Sequence, residues 1–382
     1  MPVRATKRGE QRTRLRRDCD VLVCGASFGG LAVARELAGA GARVLVIDRY
    51  ELGERQTSAC AMPTDWLEAL DLMGSLRQSF DGIVVHTPFV SCRWTLPWSF
   101  STFDYRELCS LLWGQADCPE IELETATVTG RSGFTVHTDR GELTAPLIVD
   151  ALGWRRVLSN RTPIQPPAAR LSRGLEVHPP GEGSEMELWI DAGYVRAGYA
   201  WNFPAGDELR VGVGSFWPAH HVKEPTVRLA RELGLPPDGY QGNWIPHELR
   251  PAVEDGVFFA GDSAGHCLPL TAEGIRTALY FGLACGRELR AVIEGRRTRE
   301  QALERYGAFS DAHARKYRWL LAAQRAVGRL TPSRAVSALV RGVEDRRVAS
   351  WAFRHYLAIA PPSFVEQGPR LKLARTLAAA AA

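Results

Sequence analysis

The stretch "DVLVCGASFGGLAVARELAGAGARVLVIDRY", residues 20–50, decides the fold. Asp20 to Cys24 is a short apolar run, the pattern of a strand buried on both faces. A glycine-rich turn follows, then a helical pattern through Leu37, then a second apolar run ending at Asp48. Strand, helix and strand in that order predict a βαβ unit. Gly25 permits the tight turn, and Gly30 lets the helix lie close to the strand. The residues between them, Ser27, Phe28 and Gly29, then present free N–H groups at a helix N-terminus, where a pyrophosphate is stabilised electrostatically. Asp48, 23 positions after Gly25, places a carboxylate where it accepts bonds from ribose hydroxyls, with Arg49 beside it. The middle glycine of the G-x-G-x-x-G pattern is Ser27, so the phosphate approaches a small hydroxyl rather than bare backbone.

Outward from this unit the composition is ordinary. The chain has 382 residues, 45% hydrophobic and 24% charged, enough for two packed regions. No run of 18 or more apolar residues occurs, so no membrane-spanning helix is expected. The first 17 residues hold seven Lys or Arg and one Glu, a charge of +6, and predict a solvated flexible extension with no apolar segment of signal-peptide length. Contact of that extension with anionic headgroups at the inner face of a membrane is the alternative. No basic stripe accompanies it, so no nucleic-acid partner is expected. The eight cysteines form no C-x-x-C pair and complete no metal pattern, which predicts reduced thiols, no metal site and a cytoplasmic protein.

A second glycine-rich loop identifies the dinucleotide. "GVFFAGDSAGHCLPLTAEGIRTALYFGLACGREL", residues 256–289, reads as a strand ending in Gly261-Asp262, a loop, and a helix opening near Gly274-Ile275. It resembles the second flavin motif of the FAD-dependent oxidoreductases with the p-hydroxybenzoate hydroxylase-like fold. That resemblance implies FAD as cofactor, with Asp262 at the ribityl or pyrophosphate region and Pro269, Gly274 and Ile275 beside the isoalloxazine. It also matches Arg106, which opens a helical stretch in "STFDYRELCSLL", to a flavin-contacting arginine, and Val128 in "ATVTG" to the backbone that holds adenine. "FTVHTDRGELTAPLIVDALGW" reads as a hairpin around Asp139-Arg140-Gly141 and a buried strand to Asp150. Ala151, Leu152 and Gly153 stand where the family carries A-D-G. Leucine replaces the acid, and direct use of NADPH is put in doubt.

The substrate end is carried by "EMELWIDAGYVRAGYAWNFPAGDELRVGVGSFW", residues 185–217, read as antiparallel strands with a turn at Pro204 to Asp207. Tyr199, Trp201 and Phe203 alternate, so the three rings share one face, either ordinary core or the wall of a pocket. "YAWNFP" resembles the Y-x-W-x-F-P segment of the geranylgeranyl reductase family. The resemblance implies a wall for an isoprenoid chain near the flavin. In "GERQTSACAMP", residues 53–63, Cys60 matches that family's Cys-Gly and Ala61 replaces the glycine. Arg55 is then expected at a flavin phosphate. Cys60 is either near the ring in proton delivery or an inert buried thiol. His266 is either a proton donor near the flavin or a cap of its loop. Residues from 298 onward carry helical spacing, and "WAFRHYLAIAPPSF" is either a lid on a lipid tunnel or a packed terminal helix.

These readings define an α/β protein. A Rossmann-like FAD-binding domain (18–80, 101–160 and 250–297) follows the extension 1–17, with an antiparallel-sheet substrate domain (81–100 and 161–249) and a helical C-terminal region (298–382). The expected activity is reduction of a C=C bond in an isoprenoid or similar hydrophobic substrate by hydride from flavin N5. NADPH or a reduced ferredoxin-like carrier is the expected electron source. An FAD monooxygenase acting on an aromatic or polyketide-like substrate and a non-catalytic flavin-fold lipid-binding protein are the alternatives. The W-x-W-x-I-P segment of halogenases is absent.

Overall fold

In a computed structural model the described residues are 14, 15, 18–56, 58–161, 164–330 and 334–368. Most of the expected N-terminal extension and the alanine-rich C-terminus lie outside them. Leu15 is within them and departs from a solvated extension: it is buried and donates its N–H to Arg140 O at 2.8 Å, because an apolar side chain there closes one end of the core.

One layer is a six-stranded sheet in the order β16 (Val253–Glu254), β17 (Val257–Phe259), β10 (Leu147–Asp150), β1 (Val21–Cys24), β2 (Val44–Asp48) and β6 (Ile121–Thr125). All its pairings are parallel except β16 with β17. The uninterrupted apolar run VLVC of β1 is buried throughout, as a central parallel strand requires. β17 ends at Phe259, two residues before the expected Gly261-Asp262, because Gly261–Ala264 turns into a 3-10 helix. A small sheet of β7 (Val128–Ser132), β8 (Thr135–Thr138) and β9 (Gly141–Thr144) contains the expected hairpin.

The second layer is an eight-stranded sheet in the order β15 (Gln241–Pro246), β11 (Leu171–Val177), β14 (Leu209–Ser215), β13 (Gly198–Pro204), β12 (Met186–Trp189), β4 (Leu76–His86), β5 (Ser91–Phe103) and β3 (Ala61–Pro63). It takes in β3 and the start of β4, residues that sequence reasoning assigned to the nucleotide-binding part. Helices α1 (Phe28–Leu37), α2 (Thr64–Ala69), α3 (Tyr105–Ala116) and α5 (Ile275–Ile293) belong to the first layer's core. α4 (Lys223–Glu232) covers the rear of the large sheet through Leu229 and Ala230 against Val177, Val211 and Val213. After α6 (Arg299–Asp311) and α7 (Ala314–Leu330), α8 (Arg334–Val343) and α9 (Arg346–Leu357) lie over β4 and β5. There Val336 and Val340 share a buried cluster with Phe80, Ile83 and Met186. Among the described residues no helix is long and apolar enough to cross a membrane.

Candidate active site

Between the layers runs a cavity of about 1480 Å³. Sites for one drug-sized ligand span roughly 300–1,000 Å³, so this volume admits a dinucleotide and a second molecule together. Its polar end is built by the β1–α1 turn. Gly25 has φ +112°, and a Cβ there would stand 2.2 Å from Ala151 O. A Cβ at Gly30 would stand 1.8 Å from Gly25 O, so neither position tolerates a side chain and neither lines the cavity. Ser27, Phe28 and Gly29 do line it. Ser27 is the N-cap of α1 without a side-chain cap bond, which leaves the first N–H groups facing the cavity. Its hydroxyl instead accepts from Tyr105 Oη at 3.4 Å.

Asp48 accepts Ala26 N–H at 2.8 Å through Oδ2 and Tyr50 N–H at 3.0 Å through Oδ1, which fixes the carboxylate at the cavity wall. The Arg49 and Arg55 guanidinium groups lie over the Tyr50 ring at 4.8 and 5.3 Å, and Val128 lines the same cavity. Arg106 is not part of the wall; its Cα would be 2.7 Å from a Cβ on Gly53, which lines the cavity in its place.

The second loop lines the cavity with Gly261, Asp262, Gly274 and Ile275, joined by Gly153 just after β10. Burial raises the Asp262 carboxyl to about 6, and Arg250 partly opposes the shift. α5 begins at Gly274, again without a side-chain cap, so a second helix N-terminus opens on the same space. Two predicted residues stand elsewhere. Pro269 is buried outside the lining, its carbonyl accepting from Gln324. His266 stacks on Phe281 at 3.7 Å and bonds Ser310 Oγ at 3.1 Å. Burial holds the ring far below its usual pKa, so it stays neutral and packs the loop rather than reaching the cavity.

The apolar end is the face of the large sheet. Tyr199, Trp201 and Phe203 all line it. Trp201 lies on a bed of glycines: Cβ atoms at Gly212, Gly214 and Gly174 would come 2.3, 3.3 and 3.6 Å from its ring. Its Nε1 donates to the buried Glu176 at 3.3 Å, and Tyr199 Oη donates to Thr271 O at 2.5 Å. Ladder register continues the face sideways. Ile83 pairs with Met186 and with Trp94, and Met186 adjoins the strand position opposite Phe203, giving the row Phe203, Met186, Ile83, Trp94 across four strands. Trp94 is pinned by Nε1 to Val340 O at 2.9 Å and meets the Phe353 ring at 6.0 Å.

Cys60 belongs to the cavity wall and is fully buried, with φ +50°. A side chain at positive φ is strained and persists only where its surroundings impose it. Arg210 imposes it, donating from Nη1 to Ala59 O at 2.7 Å, Cys60 O at 3.2 Å and Phe103 O at 2.9 Å. Burial pushes the thiol well up, so Sγ keeps its proton at neutral pH. A buried pair, Arg276 and Glu273 at 2.7 Å, joins the second loop to α9 through Tyr356 Oη and Ala360 O. Sequence reasoning missed Arg210, Glu176 and this pair. The alternating Val211-Gly212-Val213-Gly214 was the available signal for the glycine bed.

Residues 18–87 match the FAD binding domain family. Digeranylgeranylglycerophospholipid reductase 3 of Methanosphaera stadtmanae is 23% identical over 344 residues, 78% of this chain and 84% of that one. A geranylgeranyl bacteriochlorophyll reductase-like protein of Thermoplasma acidophilum superposes with a TM-score of 0.78 at 18% identity, over 92% of this chain and 98% of that one. A probable FAD-dependent monooxygenase of Pseudomonas aeruginosa gives 0.60 at 18% identity, over 88% and 100%. With two uncapped helix starts on a cavity of dinucleotide size, the fold and these likenesses define an FAD-dependent oxidoreductase. Within that class the chain is similar in sequence and fold to the geranylgeranyl reductase-like proteins just described.

Proposed function

We propose that the protein reduces C=C bonds of an isoprenoid chain laid along the row from Phe203 to Trp94. The row itself carries this reading: an apolar trough in the same cavity as the nucleotide end, with Trp94 at its far end. Three strand spacings make it ~14 Å long. An extended isoprene unit, four C–C bonds, spans about 5 Å, so the trough takes about three units.

In this reading the N–H groups at Ser27 to Gly29 receive the FAD pyrophosphate, Asp48 the adenosine ribose, and Arg49, Arg55 and the Val128 backbone the adenosine half. Asp262 and the α5 start at Gly274 and Ile275 hold the flavin half, with Gly153 leaving room between. Bound reduced FAD supplies a hydride to one alkene carbon. The other carbon takes a proton, which in this reading comes from the buried Cys60 Sγ–H, whose backbone the Arg210 bonds hold. Tyr199, Trp201 and Phe203 keep the alkene flat without offering it a nucleophile and exclude water. A nicotinamide nucleotide or a reduced ferredoxin-like carrier restores the electrons.

The test is anaerobic mixing of the chemically reduced holoenzyme with geranylgeranyl lipids. The expected result is flavin reoxidation with a product two hydrogen atoms heavier. No reoxidation by any prenyl lipid, with fast oxygen uptake on adding aromatic compounds, makes the protein a monooxygenase instead.

A further inference from the structure

We propose that α7, α8 and α9 form a docking face for an anionic phospholipid surface, and that the apolar end of the cavity opens into that surface. Three large apolar side chains at this end are both exposed and part of the cavity wall: Trp319 on α7 (68% exposed), Leu339 on α8 (63%) and Trp351 on α9 (64%). In a soluble monomer, apolar side chains grouped around an opening mark a binding surface. Indole rings settle at the level of lipid headgroups, with the apolar ring inward and the N–H outward.

Charge selects the partner. Residues 314–357 carry ten Lys or Arg and two acidic residues, a net charge of +8, and all ten cations are exposed. Residues 18–313 carry 27 basic and 39 acidic residues, a net charge of −12. The protein is thus polarised, with its positive end at the apolar mouth. Arg315 stands one helical turn from Trp319, Arg347 one turn before Trp351 and Arg354 just after it. Long cationic side chains around exposed indoles suit anionic headgroups, and the attraction weakens as salt screens it. An acidic protein needs the cations but gives no reason for indoles and a leucine at the lip of an apolar cavity, so the bilayer is the occupant argued here.

The test is co-sedimentation of the full-length holoenzyme with vesicles of phosphatidylcholine containing about 30% phosphatidylglycerol, against phosphatidylcholine alone, at about 0.1 M salt. Binding to the anionic vesicles at least tenfold tighter is expected, falling as salt rises. Arg346→Glu with Arg347→Glu, and separately Trp319→Ser with Trp351→Ser, are each expected to lower binding at least tenfold while bound flavin and melting temperature are kept. The charge pair lies on the surface of α9, so it reports even where the indole pair unfolds. Deleting residues 1–13 is expected to leave most of the binding. Absence of wild-type binding to anionic vesicles, or binding lost with the deletion and kept in both helix variants, overturns the proposal. Vesicle binding is read without turnover, so its failure is separable from failure of the reductase reading.

Discussion

Asp262→Asn is expected to make the flavin-free protein more stable at neutral pH and a poorer flavin binder. Burial raises this carboxyl from 3.8 to about 6, so the folded state holds the proton more tightly than the unfolded state. The folded form then binds more protons between those values, and stability falls as pH rises through the window. About 2 pKa units at 1.36 kcal/mol each give about 3 kcal/mol above pH 7. Asp262 is partly open to the cavity, which reduces the expected gain to roughly 1–2 kcal/mol. The side chains are nearly isosteric, so packing changes little. Urea denaturation of flavin-free wild type and variant, from pH 4 to pH 8, reads the difference directly. It should approach zero at pH 4, grow through pH 6 and level off above. FAD titration of the same preparations should show at least tenfold weaker binding by the variant, because a carboxylate kept at a stability cost is kept for its ligand. A pH-independent difference, or a variant less stable at pH 8, refutes the reasoning.

Gly212→Ala should leave the protein folded at a cost of about 1–3 kcal/mol but lower turnover more than tenfold with flavin content retained. The new Cβ would stand 2.3 Å from the Trp201 ring and 2.7 Å from Leu175 O, so the indole must leave its bed; unchanged turnover counts against the aromatic wall. Trp94→Ala should shift preference toward prenyl chains one unit longer, and an unaltered ranking across a chain-length series removes Trp94 as the floor. His247, bonded to Ser172 Oγ at 2.9 Å, is lowered by burial from 6.5 to about 4. The unfolded state therefore binds more protons between these values, and stability should drop by about 2 kcal/mol from pH 7 to pH 5. His247→Gln should flatten that drop in denaturation curves taken at the two pH values.

The βαβ unit was legible almost to the residue, because a buried parallel strand, a glycine turn and a helix N-terminus each leave a local pattern. The same holds for the start of α5 at Gly274 and for the three rings of β13. What sequence did not reveal is non-local. Arg210 reaches the Cys60 carbonyl across 150 residues, and Glu273 meets Tyr356 across 83. Such bonds impose no periodicity on either partner. His266 shows the converse, a titratable residue inside a recognisable motif whose ring the fold turns onto Phe281.

The nucleotide end alone does not separate reduction from oxygenation, since the same two-layer fold is shared with a probable monooxygenase at a TM-score of 0.60. The two chemistries ask opposite things of the space beyond the flavin: an oxygenase must admit oxygen beside a compact aromatic, whereas a reductase must hold a long alkene and a proton donor away from water. In this chain the trough is longer than an aromatic ring requires, and α8 and α9 lie over it through Val336, Val340 and Phe353. The thiol beside it is kept protonated by burial. Tyr356 and Arg276 tie α9 to the loop at the α5 start, so the cover and the flavin loop are one connected unit. It is this cover, rather than the dinucleotide fold beneath it, that favours the reductase.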